Sequence, residues 1–183
     1  MPAEQCHTYS QLVCEHLASS WQIMRAARIA CYFPAGNEVD LFPFIEFAWH
    51  ANKEVYLPVL GLRYTGQLWF VPYRPEDKLY LNRFGIPEPV HDRRHRRTSL
   101  RNLDIMLLPL VAFDERGNRI GMGGGFYDRT LANLQHSDGW QRPKRIGVAY
   151  QLQQTRKIPS EEWDIPLHAV ATEQGITWFE DSK

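Results

Sequence analysis

Hydrophobic positions along the chain follow two alternating rhythms. Near the start, Tyr9, Leu12, Val13, His16 and Leu17 recur at three- and four-residue spacing, the stripe of an amphipathic helix. Arg28-Ile29-Ala30-Cys31-Tyr32-Phe33 then reads as a strand, stopped by Pro34-Ala35-Gly36-Asn37. Asp40 is placed to cap a second helix, with Leu41, Phe44, Ile45 and Ala48 at helical spacing. Glu54 to Val59 and Leu68 to Val71 are predicted strands. Arg74 to Val90, rich in proline, is predicted to be mainly loop. Leu103 to Leu110 is apolar throughout apart from Asp104, the pattern of a parallel strand covered on both faces. A glycine-rich turn follows, then a helix from about Phe126. Strands are predicted at Ile146–Tyr150, Ala169–Thr172 and Ile176–Phe179.

This order predicts an α/β fold: a single domain over residues 1–183, three-layer α/β/α, with a mostly parallel open sheet. Such sheets bind ligands at the carboxyl ends of their strands. Two loops take that position, Pro34–Asp40 and Phe113–Gly125.

Composition narrows the classes. A length of 183 residues suits one domain, and 44% hydrophobic with 23% charged residues argues against disorder. With 21 Lys+Arg against 21 Asp+Glu, the zero net charge gives no bulk attraction to nucleic acid or anionic membrane. Cys6, Cys14 and Cys31 form no CxxC pair, so neither a disulfide framework nor a zinc ribbon is expected. A reducing compartment, the cytoplasm, fits better. The longest apolar run, Ile105 to Phe113, is too short to span a bilayer, and no stretch resembles a signal peptide.

The sharpest local feature is Gly117-Asn118-Arg119-Ile120-Gly121-Met122-Gly123-Gly124-Gly125-Phe126-Tyr127-Asp128-Arg129. Glycines let backbone N–H groups approach an anion, and a following helix adds its positive dipole end. The segment is neither a Walker A loop nor a GxGxxG fingerprint. It serves either a phosphate site or merely a tight strand-to-helix turn. A carboxylate in the first helical turn would repel polyphosphate unless a cation lay between them, so Asp128 suits a Mg²⁺ ligand. Its bland alternative is a surface Asp favoured by the helix dipole. Arg119 and Arg129 could offset phosphate charge or be solvated. In Glu161-Glu162-Trp163-Asp164-Ile165-Pro166, Asp164 is the least surface-like acid and could complete the metal site. Glu38 could bond a polar heterocycle. Phe33, Trp69, Phe84 and Tyr127 could form a stacking wall, although aromatics in strands usually belong to the core. The basic cluster His91 to Arg97 could touch phosphate; a solvated loop is the simpler reading. No Ser-His-Asp or Cys-His centre is visible.

Taken together, these motifs resemble the 5-formyltetrahydrofolate cyclo-ligase (5,10-methenyltetrahydrofolate synthetase) family. The likeness rests on Leu108 to Asp114 followed by Gly117 to Asp128. Further blocks agree in order: Phe33-Pro34 to Asp40, Val55 to Val59, Arg83 to Pro89, Ile146 to Tyr150, and Trp163 to Leu167 with Val170. It spans about Pro2 to Thr172. The resemblance implies ring closure of 5-formyltetrahydrofolate to 5,10-methenyltetrahydrofolate, with ATP as co-substrate and Mg²⁺ as cofactor. ATP would phosphorylate the formyl oxygen, the neighbouring amine would attack the activated carbon, and phosphate would leave.

By the same resemblance, ATP would be held by Arg119, Ile120, Gly121, Met122, Gly123, Gly124, Gly125, Phe126 and Tyr127, with Arg119 and Tyr127 catalytic. Asp128 and Asp164 would ligate Mg²⁺. Phe33, Glu38 and Phe84, with Met122 to Phe126, would border the folate. The family often has a basic residue between the loop glycines, where this chain has Met122 or Gly124. Its basic N-terminal helix is expected to be absent, because Pro2-Ala3-Glu4-Gln5 reads as the start of the following helix. Two alternatives stand beside this reading. One is a folate- or nucleotide-binding protein of the same fold with little turnover; the other is a nucleic-acid module built on Arg93–Arg97. The expected partners are folate and ATP, without nucleic acid or membrane, and the expected state is a monomer.

Overall fold

In the computed structural model, residues 1–61, 65–90, 97–135, 142–161 and 164–179 are described, without the side chains of 133–135. The chain runs α1 (Ala3–Ser19), α2 (Trp21–Arg25), β1 (Arg28–Ala30), α3 (Phe42–His50), β2 (Glu54–Leu60) and β3 (Leu68–Tyr73). It continues through β4 (Leu79–Leu81), β5 (Pro87–Pro89), β6 (Ile105–Pro109), β7 (Ala112–Phe113) and β8 (Arg119–Ile120). The last elements are α4 (Phe126–Gln135), β9 (Lys144–Val148), β10 (Ala169–Thr172) and β11 (Gly175–Trp178).

The main sheet has the order β11-β10-β9-β6-β1-β2-β3. The five inner strands are parallel, and the edge strands β3 and β11 are antiparallel to their neighbours. The apolar run in β6 has the predicted cause. Ile105 and Leu107 join the core under α1, α2 and α3, while Met106 and Leu108 join the opposite core with Leu131 of α4. Asp104 breaks the run for a reason: it accepts from Ala27 N–H, Arg28 N–H and the Arg142 guanidinium, tying strand starts together at the far end from the loops. Pro58 lies in an inner strand without cost to the β1 ladder. That pairing ends at Tyr56, so the missing N–H falls beyond it.

Two expectations need correction and a third needs refinement. The first strand stops at Ala30, three residues before Phe33. Asp40 is not the N-cap; Leu41 takes that position, and Asp40 Oδ1 accepts from Phe42 N–H at 2.9 Å from one residue further out. Arg74 to Val90 is mainly loop as expected, but β4 and β5 form an unforeseen hairpin within it. Its two strand prolines disguise it. Glu88, 2% exposed, holds it together by accepting from Tyr80 Oη, Asn82 Nδ2 and the Leu60 N–H of β2. A buried carboxylate with three donors replaces the ladder bonds that proline cannot make.

Candidate functional site

The parallel strands end on one side of the sheet, where the β1–α3 and β6–α4 connections meet. The longer of these opens with a β7–β8 ladder closed by Asp114, which is 1% exposed. Its carboxylate accepts from Arg116 N–H, Asn118 N–H, Asn118 Nδ2 and Ile158 N–H, each at 2.9 Å. Burial alone would raise its pKa, yet these donors, led by the Asn118 side chain, hold it below the usual Asp value. One carboxylate therefore fastens the 157–159 segment to the start of the glycine-rich loop.

Gly117 allows that junction. It has φ +80°, and a Cβ there would lie 2.8 Å from Leu167 O and 2.9 Å from the Phe179 ring. Beyond β8 the loop turns into α4. Gly125, at φ +60°, leaves room for the Arg129 guanidinium, which a Cβ would meet at 2.6 Å. Arg129 donates to Gly66 O (3.1 Å) and Gly124 O (2.6 Å) and lies over the Phe126 ring. Though exposed, it spends these donors on loop carbonyls and clamps the loop.

Arg119 is engaged as well. It pairs with Asp128 and donates to Ile165 O at 2.6 Å. Its side chain is 7% exposed, against 52% for that of Asp128. Asp164 joins Arg119 and Asp128 in lining a small cleft of about 50 Å³. The two candidate metal carboxylates, far apart in sequence, thus line one cleft. Asp164 is nonetheless exposed, contrary to the expectation drawn from its apolar neighbours. Its carboxylate accepts from Glu161 N–H, the short-range turn bond that Asp favours. Glu162 and Trp163 lie outside the described residues, as do Arg93 to Arg96 of the basic cluster.

Gly121 to Gly124 are exposed, and Met122 is 71% exposed, so the middle of the loop stands open. On the other side of the loop, Phe126 meets Phe84 edge-on with centroids 5.8 Å apart. The β4–β5 turn presents Phe84: Asn82 Oδ1 accepts from Phe84 N–H and Ile86 N–H. Phe33 packs on Tyr73, and Trp69 carries Arg97 at 4.9 Å. The four aromatics therefore do not make one wall; Phe84 stands with Phe126 at the loop, whereas Trp69 lies along the edge strand.

Glu38 reaches back to accept from Ala35 N–H at 2.9 Å, and burial pushes its pKa up. Tyr127 is also raised, first by burial and then by the Glu38 charge, with Arg119 opposing. This influence of Glu38 on Tyr127 links the first loop to the second. Burial raises Cys14 to about 12 and Cys31 still higher, so neither supplies a thiolate.

Sequence reasoning missed Arg145 and His168. Arg145 Nε donates to Pro166 O at 2.9 Å, next to the carbonyl that Arg119 holds. Its own N–H donates to His168 Nδ1. Two arginines thus clamp consecutive carbonyls beside Asp164. No local motif could reveal this, because the partners are some twenty residues apart.

Residues 1–173 match the 5-formyltetrahydrofolate cyclo-ligase family. The chain is 43% identical over 169 residues to the 5-formyltetrahydrofolate cyclo-ligase of Escherichia coli (strain K12), covering 92% of this chain and 90% of that one. Identity to the Haemophilus influenzae cyclo-ligase is also 43% over 169 residues, covering 91% and 87%. Among solved structures, 5,10-methenyltetrahydrofolate synthetase from Aquifex aeolicus superposes with a TM-score of 0.79 at 30% identity. That match covers all of this chain and 87% of the other.

Proposed function

The chain belongs to the 5-formyltetrahydrofolate cyclo-ligase family, and on that premise we propose that it closes 5-formyltetrahydrofolate to 5,10-methenyltetrahydrofolate, consuming ATP. One observation carries the reading. A single open loop borders a carboxylate–arginine cleft and a pair of aromatic rings, exposed Phe84 and half-buried Phe126. Phosphoryl donor and flat acceptor would meet between them.

The chemistry follows from the groups available. An amide-like formyl oxygen leaves poorly, and transfer of the γ-phosphoryl to it makes it a phosphate leaving group. The neighbouring N10 amine then attacks the formyl carbon, the new C–N bond forms, and phosphate departs with the former formyl oxygen. ADP is the other product. Such transfer demands positioning and charge stabilisation rather than a protein nucleophile. Backbone N–H groups of Gly121 to Gly125 would cradle phosphate, with Arg119 and Tyr127 at the loop's two ends. Glu38, Phe33 and Phe84 would hold the pterin side. The raised pKa of Glu38 suits a carboxyl that trades hydrogen bonds with a polar ring.

Asp128 and Asp164 fit Mg²⁺, which takes one or two carboxylates and fills its shell with phosphate oxygens and water. Among the described residues no larger cluster of ligating side chains competes for this role. When bound, the ion would neutralise charge on the nucleotide phosphates. Among the described residues, no helix is long and apolar enough to cross a membrane. A cytoplasmic monomer acting on small molecules completes the proposal.

The test is Asp128→Asn. Turnover should fall at least a hundredfold at limiting Mg²⁺, with recovery at high Mg²⁺, while the unfolding midpoint drops only by the few degrees that weakening the Arg119 pair costs. Wild-type metal dependence would remove Asp128 from the site.

A further inference from the structure

The glycine-rich loop is held by its own clamps, but the ring of Phe84 that faces it stands on a hairpin that burial hardly holds. In β4, Leu79, Tyr80 and Leu81 are all at least 36% exposed, and Phe84 at the turn is 54% exposed. A two-stranded hairpin is marginal on its own. Phe84 meets Phe126 edge-on and carries the Arg83 guanidinium at 4.8 Å. Those ring contacts do not set the backbone beneath the ring.

A run of hydrogen bonds from the main sheet sets it instead. Leu60, the last residue of β2, lies at the carboxyl end of the parallel strands, and its N–H donates to Glu88 Oε1 at 3.0 Å. The same oxygen accepts from Asn82 Nδ2 at 2.8 Å. Asn82 Oδ1 in turn accepts from Phe84 N–H at 2.8 Å and Ile86 N–H at 3.1 Å. The Asn82 backbone closes the same turn, accepting from Gly85 N–H and donating to Ile86 O, and Gly85 permits it at φ +75°. Tyr80 Oη donates to the second Glu88 oxygen at 2.7 Å. Glu88 is 2% exposed, so water does not compete for its bonds.

We infer that Glu88 and Asn82 are positioning residues for the folate substrate. Glu88 transmits the position of β2 to Asn82, and Asn82 sets the turn that aims Phe84 at the ligand. Both act through Phe84 rather than by contact. The inference rests on the proposed folate site and extends it to two residues outside that site. A ring on a loose turn would have to be ordered as the substrate binds, which weakens binding. With the relay in place, the ring is ordered before the substrate arrives.

The experiment measures kcat, KM for 5-formyltetrahydrofolate and KM for ATP by steady-state turnover, and 5-formyltetrahydrofolate affinity by calorimetry. The variants are Asn82→Ala, Glu88→Gln, Phe84→Leu and the double variant Asn82→Ala/Phe84→Leu. Asn82→Ala removes the donor and the acceptor together, so KM for the folate should rise about tenfold, the scale of one to two net hydrogen bonds. KM for ATP should stay within about twofold, because Arg119, Asp128 and Asp164 are held by other segments. Glu88→Gln keeps an oxygen for Leu60 N–H and Asn82 Nδ2 and offers its amide to the Tyr80 hydroxyl, so it should behave like wild type. The double variant should be no worse than Phe84→Leu, because Asn82 acts through that ring.

An Asn82→Ala variant with wild-type KM and affinity for the folate overturns the inference, whatever its unfolding midpoint. Equal rises in both KM values also overturn it, since they mark a general loss of structure. Effects of Asn82→Ala and Phe84→Leu that multiply in the double variant do the same, because the two residues would then act independently. A Glu88→Gln variant as impaired as Asn82→Ala overturns the relay through Glu88. Each of these results leaves the ligase reading intact. A wild-type protein that does not bind 5-formyltetrahydrofolate overturns that reading and the inference together.

Discussion

Replacing Asp114 by Asn removes one charge and reverses one polar end, with no change in side-chain size. The native carboxylate accepts four N–H bonds at 2.9 Å while 1% exposed. Asn retains one oxygen for the Arg116 and Asn118 backbone donors. Its amide then faces Asn118 Nδ2 and Ile158 N–H, donor against donor. Asn118 is partly exposed and can turn its side chain away, but the Ile158 N–H is buried in a fixed chain. One stranded charge-assisted bond plus weakening of the others amounts to about 2–4 kcal/mol. For a domain of this size that is a drop of roughly 5–15 °C in Tm.

The dependence on pH sharpens the test. Asp114 is held below its unfolded pKa of about 3.9. Its stabilisation is therefore full above that value and is lost as pH falls through the lower folded pKa. The gap between wild type and Asp114→Asn should be largest near neutrality and close towards pH 2. Urea unfolding across that range measures it. A loss under about 0.5 kcal/mol at pH 7, the size of an ordinary surface change, would refute the reasoning. So would a gap that stays constant on acidification.

Other consequences are equally direct. Gly125→Ala must carry a side chain at φ +60° and press on Arg129, so the Gly124 clamp opens; about 1–2 kcal/mol of backbone strain is expected. Turnover should fall tenfold or more while Tm drops only a few degrees, and parallel kinetics and thermal scans decide it. His168 is depressed to about 3, by burial first and then by Arg145 and Lys144. Between its unfolded pKa near 6.5 and that value, the unfolded chain takes up a proton that the folded one refuses. Stability should therefore fall as pH drops below about 6.5, by less than the full 1.4 kcal/mol per unit because the ring is partly exposed. His168→Asn keeps an acceptor for the Arg145 N–H and should flatten that limb in Tm measured from pH 7 to 5; an unchanged slope contradicts the assignment.

The inner strands were legible because burial on both faces leaves an uninterrupted apolar run, as in Ile105 to Leu108. Of the helices, α1 and α3 were legible by their stripes, whereas the short α2 was not foreseen. The β4–β5 hairpin was hidden because proline argues against strands, and its substitute, Glu88 bonded to β2, is a tertiary contact. The site divides in the same way. Glycine runs and the carboxylate at the first turn of α4 are local, and they marked the loop. Arg119 and Arg129 looked like free cations because sequence does not show what a guanidinium touches. The pairing of Asp128 with Arg119, the clamp by Arg145 and the brace by Asp114 all join distant segments. Each needs the fold before it can be read.

The central claim is that one loop joins a nucleotide phosphate site to a folate site. It is tested most directly by following the absorbance of methenyl product from 5-formyltetrahydrofolate with ATP and Mg²⁺, and with each omitted in turn. Product should form, with ADP released in equal amount, only when all three are present. Tight folate binding without product, or product formed without ATP, would contradict the account.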